Sequence, residues 1–369
     1  IMAITRIGNP ALADVREPNF RNILINGGMD LAQRGTSSTG LTSGGYKTVD
    51  RFNFGISSAG TWTITQDSTV PTGQGFAKST KLDCTTANGS LGASAELNFY
   101  QKIEGQNLQY LKKGTSNAES VTLSFWVRSN KTGTYTAEIF DNDNSRQISK
   151  TYTISSADTW EKKTITFPGD TTGALDNDNA VSFWIFFWLG AGSNLTSGTL
   201  NTSWNSSTSA NRVSSSQVNL ADSTSNEWYI TGVQLEAGSV ASDFEFLPVD
   251  VNLRRCERYY QVLADGTEHA TANLCTAGQY TNNGAYGVIR FLTIMRTAPS
   301  MEQVTGSDYY RFRSGGGNYN GTLSLGISTP RSFRLNLERT QADIPANAGG
   351  WIGISGASTT AKVAVTSEL

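Results

Sequence analysis

Histidine occurs once in the 369 residues, at His269, and cysteine three times, at Cys84, Cys256 and Cys275. A Ser-His-Asp or Cys-His device could be built only around that one imidazole, and no G-x-S-x-G elbow lies in a strand-turn-helix setting. Zinc centres of the usual kinds are starved of ligands. An odd cysteine count without a C-x-x-C pair argues against a disulfide framework and predicts buried thiols. Charge is sparse as well: 16% of residues are charged, with Lys+Arg 29 against Asp+Glu 31 and no basic run. Such a balance leaves no global field to gather nucleic acid or an anionic membrane. No apolar run is long enough to span a bilayer, and the first residues lack the charged start and apolar core of a signal peptide, so no membrane insertion is expected. Both facts suit assembly in a reducing cytoplasm, with Met2, preceded by Ile1, as the expected natural start.

What is abundant is glycine, at 37 residues, together with Ser, Thr and Asn. That mix suits short strands joined by many turns rather than helices, and the length predicts two or three domains. Strands are expected at 51–56, 61–66, 80–84, 96–103, 121–128, 135–141, 147–154, 160–167, 181–189 and 228–235. Spacing of this kind predicts a sandwich of two sheets, with Phe125, Val127, Ile139 and Ile165 on inner faces. The strand VSFWIFFWL is apolar on both sides: Val181, Phe183, Ile185, Phe187 and Leu189 point one way and Trp184, Phe186 and Trp188 the other. An antiparallel sandwich normally leaves one face wet, so the second aromatic row needs a cover. Three covers are open: sugar rings, the segment 191–227, or another subunit. That segment holds 24 Ser, Thr, Asn or Gly residues out of 37 and one aromatic, Trp204, which would either wall a binding site or pin the segment to the sheet.

From Trp228 to Leu235 the apolar spacing slips once, at Gly232, where a bulge is expected. Pro248 stops any further strand. NLRRCERYYQVL, 252–263, reads as one short helix or as a strand, acting as a linker or as the start of subunit association. Beyond it a second β domain is expected. Residues 251 to 369 carry 11 basic and 8 acidic side chains, interspersed as surface and interface charge.

Two stretches carry a family resemblance. NILINGGMDLAQRGTS followed by YKTVDRFNF is similar to the opening of a jelly-roll module common in phage tail-fibre and related virion proteins, of form N-x-x-x-N-G-x-x-x-x-x-Q-R-G and then D-R-[FW]. GVQLEAGSVASDFE, followed by LRRCERYY, resembles its close. YGVIRFLTIMRTAPS resembles the F-P-x-x-M-R-x-x-P strand of small C-terminal fibre domains, with Thr293 at the proline position. The resemblance implies an all-β protein: a short irregular N-terminal virion-attachment segment over 2–45, a carbohydrate-binding-like jelly-roll β-sandwich over 46–246, a linker over 247–263 and a smaller C-terminal β-sandwich over 264–369. Attachment would fall to the motif residues Asn22, Asn26, Gln33 and Arg34. It further implies a homotrimeric tail fibre, partnered by other phage tail or virion proteins and by host cell-surface polysaccharide. A capsid or tail decoration protein with no host ligand is the second reading.

Carbohydrate stacking is expected of exposed aromatics, here Trp184, Trp188, Trp204, Tyr309 and Tyr319. The tetrapeptide DNDN occurs at 141–144 and 176–179, where Asp141, Asp143, Asp176 and Asp178 could hold calcium or cap tight turns. No other cofactor is implied. A hydrolase would need a carboxylate pair such as Glu96 or Asp83 with Asp243. Nothing in the sequence pairs them, and the chain is expected not to be an enzyme.

Overall fold

A computed structural model describes residues 20 to 357 and 359 to 369. Residues 2–19 of the expected attachment segment, with Pro10 and Pro18, lie outside them. The chain divides into two compact units, the first ending at Leu247 and the second running Pro248–Leu369.

The first unit is a jelly-roll β-sandwich. One sheet has six strands in the order Ser37–Leu41, Thr61–Asp67, Ser79–Thr86, Glu227–Ala237, Val121–Ser129, Glu161–Phe167. The other has seven, in the order Asn205–Ser206, Arg146–Ile154, Gly133–Asp141, Val181–Ala191, Glu96–Glu104, Asn53–Ser57, Gly45–Tyr46. All of these pairings are antiparallel. The inner faces meet in one core that includes Phe125, Val127, Ile139, Ile165, Phe183, Ile185, Phe187 and Leu189. Fully burying each such side chain is worth about 1.5–3 kcal/mol, so alternation along these strands fixes which face turns inward.

The motif stretches close this sandwich. Ile23 N–H donates to Leu235 O at 2.8 Å and Val233 N–H to Gly27 O at 2.9 Å. The Asn22 side chain donates to Val233 O and accepts from the Leu235 amide. A Cβ on Gly27 would stand 2.0 Å from Val233 O, so only glycine lets the two backbones meet. Asn26 bonds the carbonyls of Leu31 and Asp50, and Gln33 donates from both its backbone and side-chain nitrogens to the Asp50 carboxylate. Arg34 lies over the Tyr46 ring at 5.3 Å. Asn22 and Asn26 are 4% and 2% exposed and bonded within the unit, Asn22 clasping the first residues to the last strand and Asn26 and Gln33 tying the turn to Asp50, while Gln33 and Arg34 stay half-exposed. Residues 20–45 accordingly belong to the sandwich.

The two DNDN stretches do come together, with Asp143 accepting from the Asp176 amide at 3.0 Å. Asp141, Asp143 and Asp178 bond protein groups, and among the described residues no three His, Cys, Asp or Glu side chains gather as a metal site would need. Asp141, fully buried, takes the Lys113 ammonium at 2.6 Å and the Asn144 side chain at 3.0 Å. Asp178 caps the Ala180 amide. Lys113 also reaches Asp170 at 3.0 Å and the carbonyls of Thr172 and Gly173 at 2.8 Å each. The cation between these oxygens is thus the chain's own ammonium.

The bulge expected at Gly232 is present: the register shifts between Thr231 and Gln234, and Gly232 has φ of +62°.

In the second unit, Val249–Glu257 is helical and Tyr260–Asp265 is a strand, so NLRRCERYYQVL takes both forms in turn. Tyr260–Asp265, Lys362–Thr366 and Ser300–Gln303 make a three-stranded sheet. The remaining strands do not form two facing sheets. They close into a barrel in the order Asn273–Thr281, Gly284–Arg290, Ser332–Glu338, Gly317–Thr329, Tyr310–Ser314, Gly349–Ile354. Phe312, Phe333, Leu335, Leu337, Ile352 and Ile354 fill it. In the MRTAPS stretch, Met295 is buried and Arg296 bonds the carbonyls of Ser367 and Glu368.

Candidate functional site: a half-roofed aromatic cleft

The outer face of the seven-stranded sheet carries the second aromatic row. Trp184, Phe186 and Trp188 stack in sequence with ring centroids 5.4 and 5.5 Å apart. Tyr100, from the neighbouring strand, stacks on Trp184 at 5.3 Å, and Phe140 meets Trp184 edge-on. Tyr100 is outward for the same reason as Trp184. In Glu96–Glu104, Leu97, Phe99 and Ile103 are buried in the core, which leaves Glu96, Asn98, Tyr100 and Lys102 on the other face.

Half of this row is covered. The segment 191–227 is ordered by backbone bonds between its own parts, among them Val213 N–H to Leu195 O at 3.1 Å and Asn201 N–H to Asn211 O at 3.0 Å. Leu195, on the short helix Ser193–Thr196, and Val213 cap Phe186 and Trp188, which are 5% and 0% exposed. Arg212 completes the roof: its guanidinium lies 5.1 Å from Phe186 and 5.2 Å from Trp188. It also forks onto the buried Glu138 carboxylate at 2.8 and 3.0 Å, where Trp188 Nε1–H donates as well. A charge that deep survives only with such partners.

The uncovered half is a cleft of about 510 Å³. Half-exposed Tyr100, Trp184 and Phe140 form its apolar side, Arg212 the roofed edge, and Glu96, Asn98 and Asn53 its polar lining, with Gly44, Gly45 and Gly55 also bordering it. A side chain at Gly55 would collide with Asn98, 2.0 Å from its Oδ1. Asn98 is 2% exposed, yet its Oδ1 has no partner among the described residues, nor has Trp184 Nε1. Buried polar atoms are normally bonded, so these two are the unsatisfied groups of the cleft wall. Burial, with the Glu96 carboxylate adding to it, pushes the Tyr100 phenol up to about 12. The phenol therefore stays a hydrogen-bond donor at any physiological pH.

Of the five aromatics expected to stack on sugar, Trp184 lines the cleft with a face available. Trp188 borders it but is fully covered. Trp204 is elsewhere: it stacks on Phe183 and donates Nε1–H to Pro168 O at 2.7 Å, pinning the polar segment to the sandwich. Tyr309 and Tyr319 belong to the second unit, where Tyr309 packs edge-on against Tyr310 and Tyr319 lies tilted against Phe312 at 6.2 Å. Within the first unit, Trp184 and Trp188 share the aromatic row and Trp204 does not. The structure assembles Tyr100, Phe140, Asn98 and Arg212 around Trp184. Of the carboxylates named as alternative partners of Asp243, Asp83 lies on the six-stranded sheet, 3.6 Å from the Lys81 ammonium, and Glu96 on the seven-stranded one.

No protein-family model and no curated protein matches the chain. Among solved structures, the enzymatically active domain of a tailspike protein of bacteriophage CBA120 aligns at 17% identity over 59% of this chain and 21% of its own, with a TM-score of 0.32. The chain thus spans about a fifth of that protein's length. A CBM4 structure aligns at 14% identity over 57% of this chain and 97% of its own, TM-score 0.30. TmCBM61, solved with β-1,4-galactotriose, aligns at 11% identity over 59% and 99%, TM-score 0.29. At these values the likenesses assign neither residues nor function.

Proposed function

We propose that the chain is a non-enzymatic structural virion protein, a phage tail-fibre subunit that assembles as a homotrimer and binds host surface polysaccharide through the aromatic cleft. The observation that carries this reading is the half-finished roof. Folding has covered Phe186 and Trp188 but leaves Trp184 and Tyr100 open beside two unpartnered polar atoms. An apolar platform edged by donors and acceptors suits the face of a pyranose ring and its hydroxyls. The resemblance of the clasp sequences to virion modules supports the setting. Three such clefts on one fibre, and many fibres on one particle, turn weak single contacts into high avidity.

Glycan-array binding by the purified chain tests it. Wild type is expected to retain a defined set of glycans, and Trp184→Ala to lose them while still folding, with a single cooperative melt lowered by the lost ring contacts. Full retention by the variant, or no glycan bound by either, would overturn the cleft's role. Immunogold labelling of particles tests the setting: a label confined to tail fibres is expected, whereas a label on the capsid favours the decoration reading.

A further inference from the structure

The barrel of the second unit carries a separate aromatic and basic cluster on its outer wall. Tyr280 and Tyr286 stack with centroids 4.3 Å apart and planes 16° from parallel, and Tyr280 is 68% exposed. Arg334 lies over Tyr286, its guanidinium carbon 4.5 Å from the ring centroid. The register explains the layering. Phe333, Leu335 and Leu337 fill the barrel, so Arg334 and Asn336 face out, and Tyr286 is the cross-strand partner of Asn336. The residue opposite Tyr286 on its other side is Gly278, where an added Cβ would meet only Ala348 O at 3.9 Å, leaving open space beside the ring.

Two polar atoms of this cluster are unspent. Asn336 is 7% exposed and its Nδ2 donates to Ser324 Oγ at 3.3 Å, but its Oδ1 has no partner among the described residues, nor has Arg334 Nε. Both lie over Gly326, where an added Cβ would stand 3.1 and 2.6 Å from them. Arg334 forms no ion pair among the described residues, and neither does exposed Arg290 on the adjoining strand. Residues 273 to 354 hold seven arginines, no lysine and four acids. Guanidinium differs from ammonium in its planar fork, which matches a carboxylate and stacks on a ring at once.

We infer that this wall is a second glycan-binding site, selective for acidic oligosaccharides, with Tyr280 stacking one pyranose and Arg334, with Arg290 on the adjoining strand, taking the carboxylate of a neighbouring acidic residue of the same chain. The inference does not depend on the cleft of the first unit. The full chain is tested on an array of uronate- and sialate-bearing oligosaccharides beside their methyl esters. Acidic members are expected to bind, the esters to bind at least about tenfold more weakly, and added salt to weaken the acidic set. Tyr280→Ala and Arg334→Gln should each lower acidic binding by about tenfold or more, with Arg334→Lys recovering only part of it. Trp184→Ala should leave it intact, which separates this site from the cleft. The site is overturned if esters and acids bind alike, if acidic glycans are not bound, or if both barrel variants bind as wild type. Unchanged melting curves, expected for two outward side chains, exclude misfolding as the cause of a loss.

Discussion

Replacing Lys113 by Met removes the one cation held between two carboxylates that are almost out of reach of water. The side chains of Asp141 and Asp170 are 0% and 3% exposed, and Lys113 itself is 4% exposed. Asp170 keeps its fork to Arg146 at 2.7 and 3.0 Å, but Asp141 keeps only neutral donors. Stranding a buried charge this way costs about 3–5 kcal/mol. At about 2–4 °C per kcal/mol for a unit of this size, the first unit's melting temperature should fall by roughly 6–20 °C. Calorimetry on the full chain, with proteolysis to assign the transition, measures it. Lys113→Met combined with Asp141→Asn should recover most of the loss, because both partners are then neutral. Acid narrows the gap. Burial works to raise the Asp170 carboxyl, but its bonds to Arg146 and Lys113 outweigh that and hold it below its usual 3.8. A carboxyl depressed on folding stabilises above the unfolded value, and that contribution is lost as pH falls through the folded value. Wild type and variant should therefore differ most near neutrality and converge below about pH 4. A variant that melts within about 2 °C of wild type at pH 7 would refute the reasoning.

Three further outcomes follow from the same structure. Gly232→Ala puts a Cβ 2.5 Å from the Phe76 ring at φ of +62°, so chemical denaturation should show a loss of about 1–3 kcal/mol. Arg212→Ala leaves Glu138 buried without its cation and uncovers Trp188; a loss of about 3 kcal/mol and a red-shifted tryptophan emission are expected. Burial pushes the Cys84 and Cys275 thiols up to about 11 each, with the Asp83 and Asp222 carboxylates adding to the rise at Cys84. With Cys256 fully buried as well, iodoacetamide at pH 8 should leave the folded chain unlabelled and add three labels in urea, by intact mass.

The parts of this fold that were legible in the sequence are those set by local periodicity. Alternation along 181–189 sorted its side chains between core and outer face correctly, and the slip at Gly232 located a bulge. The same alternation along 96–104 places Tyr100 and Asn98 on the outer face, a signal present in the residues but not drawn on. What periodicity cannot carry is pairing across long separations. Arg212 meets Glu138 and Lys113 meets Asp141 and Asp170, and no local pattern announces either partner. Asp141 shows the consequence: its neighbours read as a cation loop or a turn, and the deciding residue lies outside the stretch. Likewise, strand content alone does not distinguish two facing sheets from a closed wall. Closure of the barrel depends on Asn273–Thr281 pairing with Gly349–Ile354.

A crystal of the full chain soaked with a glycan retained on the array would show where the sugar sits. The account requires a pyranose face against Trp184 and Tyr100, with ring hydroxyls reaching Asn98 Oδ1. Density for that glycan away from the aromatic row, with the cleft holding only water, would contradict it.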